Sequence, residues 1–499
     1  MRMTGRVKSP PHEIMNKLIL YPQLLFESDN YLEHYLSIEK VLIKSYEEMN
    51  LINTTDAVKL LESVKSVQKE NIIKSAYSNM NDIAFSIEKA IDENLGKPVL
   101  NWHLDRSRND LQACGQLMYA RDSWISLIQK FQKLLIELWA LASKYKRTIM
   151  PGYTHFQTAQ VMSVGFYLTA ISRHIQKTLE KMVLCLESIN ESCPLGSGAM
   201  SGQEYPWDLE MMANDLGFDS FGGHALVCVA SRDWILEIGE NLAFFGVNMS
   251  RFMTDMMNWG SSEYQFLHFP DELVGISSSM PQKRNLPILE RIRGKTSHLI
   301  SYYQDFMLGQ RNTPFSNLVE VSKESSSNLP RLFQTANDIA DLLLLIFENI
   351  DFNINKMKKR CEEDYLGGFT LANYLSAKEG IPYRKAQVIS GEFITLAINE
   401  GIAPKKLPIL LLSQVCERYG YKQLQINQAT LVDIFDPEKA LFVKITAGSV
   451  HPEEVNEIIE CQKRQNAEFI RRFNRITEKV TEAKQRLNKW VPGKENVND

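Results

Sequence analysis

The segment from Leu111 to Met150 constrains the fold more than any other part of the sequence, because Gly115 is its one helix-breaking residue. Within it, the stretch LIQKFQKLLIELWALASKYK places apolar residues at i, i+3, i+4 and i+7, which is the spacing of one helix face. The pattern predicts a helix of about 30 to 35 residues, roughly three times the average length in globular proteins. A helix of this length favours an all-α bundle.

Further long helices are predicted along the chain, each bounded by clusters of Gly, Pro, Ser or Asn. They cover residues 161–193, 209–217, 227–258, 286–311 and 325–360. Strand signals are few and short. Since a helix rises ~1.5 Å per residue, the loops before residue 111 and after residue 150 should lie ~45–50 Å apart in one chain. Two loops at that distance cannot share one intramolecular site.

Changes in predicted helix length and in Gly and Pro content along the chain predict three domains. Residues 1–105 carry shorter helices, and residues 106–361 form the central long-helix bundle. Residues 362–499 return to short helices and end in a tail helix. Gly and Pro residues interrupt the helices in the stretch YLGGFTLANYLSAKEGIPYRKA, and they indicate the boundary between the second and third domains.

Composition argues against several classes of function. The 56 basic and 60 acidic residues give a formal net charge of −4, so bulk charge favours neither nucleic acid nor membrane as a partner. The seven cysteines show no C-x-x-C pair or zinc spacing, which predicts reduced thiols and no structural metal. Pro10 and Pro11 interrupt the N-terminus where a secretory signal needs an unbroken apolar run. We therefore expect a cytoplasmic protein without a cofactor.

Four polar segments stand at the ends of the predicted long helices. They are DRSRND at 105–110, PGYTHFQTAQ at 151–160, PLGSGAMSGQEYPWD at 194–208 and GISSSMPQKRNLPILE at 275–290. Three of them have a plain structural interpretation, in which Asp105 or Ser107 caps a helix, Thr154 caps beside His155, and the serines of 275–290 form a linker. However, loops at bundle ends are also where a rigid scaffold can present functional groups.

The same segments allow a catalytic interpretation. Arginine presents a planar fork that holds a carboxylate in bidentate fashion, so DRSRND can clamp an anionic substrate. Histidine changes charge near neutral pH, so His155 suits proton transfer. Pro281 and Pro287 bracket a segment that cannot continue a helix, and a mobile lid there would supply a serine, a cation and an amide. Glu290 lies just beyond and can orient a histidine.

Together these segments resemble the sequence blocks of the fumarase/aspartase superfamily and, within it, of the argininosuccinate lyases. The blocks are RSRND at 106–110, PGYTH-Q-AQ at 151–160, PLGSGA-SG at 194–202, SS-MPQK-N at 277–285 and ANYLSAKEGIPYRKA at 372–386. The resemblance covers nearly the whole chain. It implies a three-domain all-α fold whose long central helices assemble as a homotetramer, with each active site built from loops of three subunits.

The resemblance also implies roles in releasing fumarate from an N-substituted aspartate. Ser277 would remove a Cβ proton from the succinyl group, while Lys283 and Asn285 would stabilise the enolate-like carboxylate. His155, oriented by Glu290, would assist protonation of the departing nitrogen. The substrate would be held by Ser107, Arg108, Asn109, Thr154, Ser278, Met280 and Arg232. A Cβ proton beside a carboxylate is weakly acidic, so abstraction needs fixed donors and a cation that stabilise the developing dianion.

Two regions that would contact the amine half of the substrate depart from the argininosuccinate lyase pattern. Near the N-terminus the chain reads TGRVKS, with Lys8 inside this stretch and His12 at a position where the family has an acid. Further on it reads PFSNLVEVSKE, which loses a tyrosine and a glutamine, introduces Phe315 and Glu320, and keeps Lys323. We expect Lys8, His12, Phe315 and Glu320 to line the amine half, and Glu320 to favour a cationic amine.

A site that loses hydrogen-bonding partners of its substrate can lose about 10⁴–10⁵ in discrimination, so the amine half should differ from arginine. Two alternatives stay open at this point. The first is argininosuccinate lyase proper. The second is a non-catalytic, crystallin-like or scaffold relative, although such a protein has no reason to keep Ser277, Lys283, Asn285, His155 and Glu290 together.

Overall fold

The computed structural model describes residues 9–74 and 82–494, and most of these residues are helical. The described N-terminal residues form helices α1 (Glu13–Met15), α2 (Tyr21–Asn30), α3 (Leu32–Glu48), α4 (Thr54–Ser66), α5 (Lys69–Lys74) and α6 (Ile83–Leu95). A π-helical turn, Asn16–Leu20, joins α1 to α2. Within the described ranges, no helix is both long and apolar enough to cross a membrane.

Helix α7 (Arg108–Lys144) is the long helix that the sequence predicts. Its 37 residues exceed the predicted length and span ~55 Å. The helix begins where Ser107 Oγ accepts the backbone N–H of Asn109. Gly115 lies where α3 packs against α7, since a Cβ at this position would be 2.8 Å from the ring of Tyr35. This glycine therefore permits close packing, and the helix continues through it.

A β-hairpin follows α7 where the sequence predicts a loop. Strands β1 (Ile149–Thr154) and β2 (Gln157–Ser163) pair in antiparallel fashion, with a shift in register between Gly152 and Tyr153. Helix α8 (Val164–Glu191) then begins with Ser163 as its N-cap. The hairpin delays the start of α8 by three residues relative to the predicted helix.

The rest of the central part alternates long helices with short strands. In chain order these elements are β3 (Ser192–Cys193), α9 (Leu209–Asp215), β4 (Ser220–Phe221), α10 (Ala225–Ala230), α11 (Asp233–Gly260), β5 (Leu267–His268), α12 (Pro287–Gln310), α13 (Leu329–Asn349), β6 (Asp351–Phe352) and α14 (Ile354–Glu363).

The prediction of one continuous helix over 325–360 is wrong. Helix α13 ends at Asn349, and α14 starts after Asn353, whose side chain accepts the N–H of Lys356 as an N-cap. Between them β6 pairs with β5, and Phe352 is buried in an extended conformation. Burial of this phenylalanine and the ladder bonds to β5 favour the break over helix continuation.

Helices α7, α8, α11, α12 and α13 pack as an antiparallel bundle around one continuous core. Tyr167, at the start of α8, donates a hydrogen bond to Asp255 near the end of α11 at 2.7 Å. At the other end, Gln310 of α12 donates to the carbonyl oxygen of Arg232, just before α11. The bundle thus has a Ser107 end, where α7 begins, and a His155 end, where the hairpin lies.

The C-terminal part forms a second hydrophobic core. The helices of the C-terminal part are α15 (Gly368–Glu379), α16 (Tyr383–Asn399), α17 (Ile409–Arg418), α18 (Gln428–Ile434), α19 (Pro437–Ala440) and α20 (Pro452–Lys489). Buried residues between Leu371 and Phe435 make this core. By contrast, α20 packs along α8, where Gln462 accepts the indole N–H of Trp139 and donates to the carbonyl of Thr169. The all-α prediction is confirmed, and the domain boundaries stay predictions.

Candidate active site

The loop that precedes α7 is held by residues 194–208, so two of the predicted polar segments meet at the Ser107 end. Asp105 accepts hydrogen bonds from the backbone N–H groups of Glu204 and Tyr205, each at 2.9 Å. It also accepts the indole N–H of Trp207 at 2.9 Å. These three bonds set the conformation from which α7 starts.

Asp110, in the first turn of α7, anchors the glycine-rich part of the same segment. Its Oδ2 accepts the backbone N–H groups of Gly196 and Gly198, each at 3.0 Å. Gly198 has a φ of 61°, and a Cβ there would lie 2.5 Å from a backbone oxygen, so the turn requires glycine. Burial raises the pKa of Asp110 to about 7, while the N–H donors oppose that rise.

A cavity of about 220 Å³ opens beside this helix start, and we call it the Arg108 cavity. Its charged and amide lining includes Glu27, Asp82, Arg108, Asn109, Asn317 and Lys323. Arg108 forms an ion pair with Asp82, and Lys323 Nζ donates to Glu27 Oε1 at 3.1 Å. Arg108 and Asn109 belong to α7, whereas Lys323 belongs to the π-helical turn Glu320–Glu324. The fold thereby brings together three side chains that the sequence analysis assigns to the substrate.

Arg232, also predicted to contact substrate, is buried behind the cavity wall. Its guanidinium donates to Gln116 Oε1 at 3.1 Å and to the backbone carbonyls of Val229 and Ser231. A longer contact of 3.4 Å joins it to the side-chain oxygen of Asn317, which lines the cavity. Burial lowers the pKa of Arg232 to about 10. In this chain Arg232 therefore supports the wall that carries Asn317.

The residues predicted for the amine half do not share a cavity within the described part of the chain. Phe315 and Glu320 are exposed and lie outside the lining of the Arg108 cavity. His12 is exposed, and its Nδ1 accepts the N–H of Ile14 at the start of α1. Lys8 lies outside the described residues.

Thr154 and His155 stand at the tip of the β1–β2 hairpin, and both are exposed. His155 and Phe156 adopt left-handed backbone conformations, with φ of 53° and 59°. Such conformations are uncommon for non-glycine residues and form a tight tip. The imidazole of His155 is therefore presented at the outer surface of the His155 end.

Ser277, Lys283 and Asn285 belong to one loop whose base is closed by two backbone bonds. The N–H of Gly275 donates to the carbonyl of Asn285, and the N–H of Asn285 donates back, each at 2.9 Å. Within the loop, Ser277 Oγ accepts the backbone N–H of Met280 at 3.1 Å. A donor aimed at the serine oxygen stabilises negative charge on it, as a serine base requires.

The remaining predicted residues of this loop are accessible from solvent. Ser278, Met280 and Lys283 are exposed, and Glu290 is exposed in the first turn of α12. Among the described residues, no hydrogen bond joins Glu290 to His155. The pairing of these two side chains stays a prediction.

The candidate residues fall into two groups at opposite ends of the bundle. The Arg108 cavity lies at the Ser107 end, whereas His155 and Ser277 lie at the His155 end. Because α7 runs from one end to the other over ~55 Å, one chain cannot place Arg108 and Ser277 in the same site. A site that uses both groups needs loops from more than one chain.

Glu27, Asp82 and Asn317 also line the Arg108 cavity, and none of the three was predicted from the sequence as a site residue. Asp82 reads as an N-cap, and it does cap α6 by accepting the N–H of Phe85. The signal for Glu27 was available in the stretch YPQLLFESD, where helical spacing places it on the same face as Leu24. A carboxylate on an apolar helix face is rarely fully buried unless it is paired, so this position indicates a partner.

Comparisons with known proteins assign the family. Residues 12–300 match the family described as lyase. An argininosuccinate lyase from Sulfurihydrogenibium sp. is 31% identical over 387 residues, which are 76% of this chain and 82% of that protein. Another, from Bacillus licheniformis, is 30% identical over 427 residues, or 84% of this chain and 89% of that protein. The chain is an argininosuccinate lyase-like member of the fumarase/aspartase superfamily. This argininosuccinate lyase-like chain is a fumarate-releasing carbon–nitrogen lyase.

Solved structures show the same fold in related enzymes. A variant of EDDS lyase with bound fumarate superposes on this argininosuccinate lyase-like chain with a TM-score of 0.83 at 22% identity, covering 94% of each chain. EDDS lyase in complex with formate gives 0.82 at the same identity and coverage. A class II fumarase from Schistosoma mansoni gives 0.65 at 13% identity, covering 86% of this chain and 92% of that one.

Proposed function

We propose that the protein catalyses the reversible anti elimination of fumarate from an N-substituted aspartate whose amine half differs from arginine. The observation that carries this proposal is the convergence of Arg108, Asn109 and Lys323 on one cavity of about 220 Å³. An arginine fork, an amide and an ammonium suit the two carboxylates of a succinyl group. The reaction needs no metal or cofactor in this scheme.

In the proposed mechanism Ser277 acts as the alkoxide, and its Oγ takes the proton from Cβ of the succinyl group. The electron pair moves into the adjacent carboxylate, and the resulting dianion is stabilised by donors from Lys283 and Asn285. The pair then forms the carbon–carbon double bond as the Cα–N bond breaks. His155 delivers a proton to the departing nitrogen, assisted by Glu290. The N–H of Met280 stabilises the negative charge on Ser277 before the proton is taken.

The proposed assembly is a homotetramer in which three subunits contribute to each active site. Separation of the two candidate groups by ~55 Å within one chain supports this arrangement. Ile136 on α7, Phe244 on α11 and Leu308 on α12 are 59%, 53% and 65% exposed, and burying such side chains against another copy would stabilise an assembly.

Absorbance at 240 nm, where fumarate absorbs, tests the proposal directly. When the protein acts on a panel of N-substituted aspartates that includes argininosuccinate, fumarate should be released and the absorbance should rise. When it adds amines from a panel to fumarate, fumarate should be consumed and the absorbance should fall. Ser277→Ala should lower kcat by about 10²–10⁴-fold, as expected for loss of a general base. Ser279→Ala, two residues away in the same loop, should stay within about twofold of wild type. Absence of turnover with every adduct and every amine would contradict the proposal.

Argininosuccinate lyase activity itself is the second candidate. The names of the curated relatives and the presence of Lys323 favour it. A kcat/KM for argininosuccinate within the ordinary range of about 10⁴–10⁸ M⁻¹s⁻¹, with every other adduct left intact, would establish this candidate in place of the first.

A further inference from the structure

Glu27 lies in the wall of the Arg108 cavity, and its side chain is 2% exposed. Its Oε1 accepts hydrogen bonds from Gln23 Nε2 and Lys323 Nζ, both at 3.1 Å. Its Oε2 accepts the backbone N–H of Ile83 at 3.3 Å. Because a carboxylate oxygen has about two lone-pair sites, Oε2 can accept one more donor.

The four charged side chains that line the Arg108 cavity form two ion pairs, Arg108 with Asp82 and Lys323 with Glu27, so their charges balance. A bound succinyl group adds two negative charges and draws both cations toward its carboxylates. The lid residue Lys283, contributed by another subunit in the proposed shared site, offsets one of these charges. One negative charge then remains without a counter-charge inside a closed site, where it is poorly solvated.

Glu27 is better placed than the other acids to meet a compensating cation. Asp82 is partly exposed, and its Oδ1 is committed to the N–H of Phe85 as the N-cap of α6. Glu320 is exposed and lies outside the cavity lining. Glu27 alone among these three combines deep burial with a position in the cavity wall.

We infer that Glu27 selects the substrate by binding a second, positively charged nitrogen in the amine half. The inference rests on the proposed function and names its substrate class, which is N-substituted aspartates whose amine half carries an additional ammonium or similar cation. In the addition direction the attacking nitrogen must be neutral, so the charge lies on a different nitrogen. Glu27 takes over the selecting role that the sequence analysis gave to Glu320.

The test compares two amines of the same size, 1,3-diaminopropane and n-butylamine, added to fumarate by the full-length protein. Wild type should show a kcat/KM at least about tenfold higher for the diamine, and Glu27→Gln should reduce this ratio to about threefold or less. Glu27→Asp, which keeps the charge, should retain the preference. Glu324→Gln, which removes an exposed carboxylate beside Lys323, is the matched control and should leave the ratio unchanged.

Each outcome decides the inference. The inference is overturned if Glu27→Gln leaves the ratio of kcat/KM for the diamine to kcat/KM for butylamine unchanged. It is also overturned if Glu320→Gln lowers this ratio and Glu27→Gln does not. Circular dichroism establishes that each variant is folded, and fumarate binding within about twofold of wild type establishes that the cavity is intact. If wild type turns over neither amine, the wider panel of adducts and amines decides the proposed function. Calorimetric binding of the diamine to fumarate-loaded protein then decides the inference, and equal affinity in wild type and Glu27→Gln overturns it.

Discussion

The side-chain amide of Asn109 donates a hydrogen bond to the carbonyl oxygen of Ala199 across 3.0 Å. Together with the bonds that Asp110 accepts from Gly196 and Gly198, this contact ties the first turn of α7 to the glycine-rich loop beside it. The first turn of α7, which carries Arg108 and Asn109, is therefore positioned by a segment far away in sequence.

Asp110→Ala should destabilise the protein and lower activity together. The substitution leaves the buried N–H groups of Gly196 and Gly198 without an acceptor, which should cost about 2–4 kcal/mol in the free energy of unfolding. Urea denaturation followed by circular dichroism measures this change. Asp341→Ala, at an exposed ion pair with Lys130, is the control and should cost about 1 kcal/mol or less. Equal effects of the two substitutions would contradict the anchoring role.

A mixture of two inactive variants should regain activity if the site is shared between chains. Arg108→Gln and Ser277→Ala remove groups from opposite ends of the bundle. After complete subunit exchange, roughly a quarter of the mixed sites should hold one intact copy of each group. Each variant mixed with itself is the control and should stay inactive. Exchange demonstrated by mass labels without recovered activity would count against the shared site, and a monomer by light scattering would rule out the assembly.

The loop over residues 276–286 should close over bound dicarboxylate. Ile276 is 91% exposed, and the backbone bonds between Gly275 and Asn285 lie at the base of the loop. Hydrogen exchange at the amide of Met280 should slow by at least about tenfold in saturating fumarate. Amides in the middle of α7 serve as the internal reference and should not change. Identical protection with and without fumarate would contradict a moving lid.

His34 should make the protein sensitive to mild acid. Its Nε2 lies 3.4 Å from Asp122 Oδ2, and burial lowers the pKa of His34 from 6.5 to about 4. The unfolded chain therefore binds a proton more readily between these pH values, and stability present above pH 6.5 is lost as the pH falls toward 4.

Because of His34, the free energy of unfolding should fall by about 2 kcal/mol between about pH 7.5 and about pH 5. Urea unfolding of wild type and His34→Gln at both pH values measures it, because the substitution removes this titration and leaves the others in place. The difference between the two pH values should be smaller in the variant by that amount. An unchanged difference would show that the ring is protonated as easily in the folded protein as in the unfolded chain.

The sequence predicted the long helices well because their periodic apolar residues and their capping residues are local properties. Ser107 caps α7 as one of the two residues that the sequence proposed for that role. The break between α13 and α14 escaped prediction, since β6 exists through its pairing with the remote β5. Periodicity carries no information about a partner strand that lies more than a helix away in the chain.

For the candidate site, the sequence by itself determined which chemical groups are present: a serine, a lysine, an amide and a histidine in loops at helix ends, together with the family to which the chain belongs. Tertiary structure alone decided which of these groups meet. It joined Lys323 to Arg108 in one cavity, buried Arg232 behind the wall, left Glu320 in solvent and placed Glu27 where a charge is poorly hydrated. The physical reason is that burial and charge pairing depend on neighbours from distant segments, and these are set by how the helices pack.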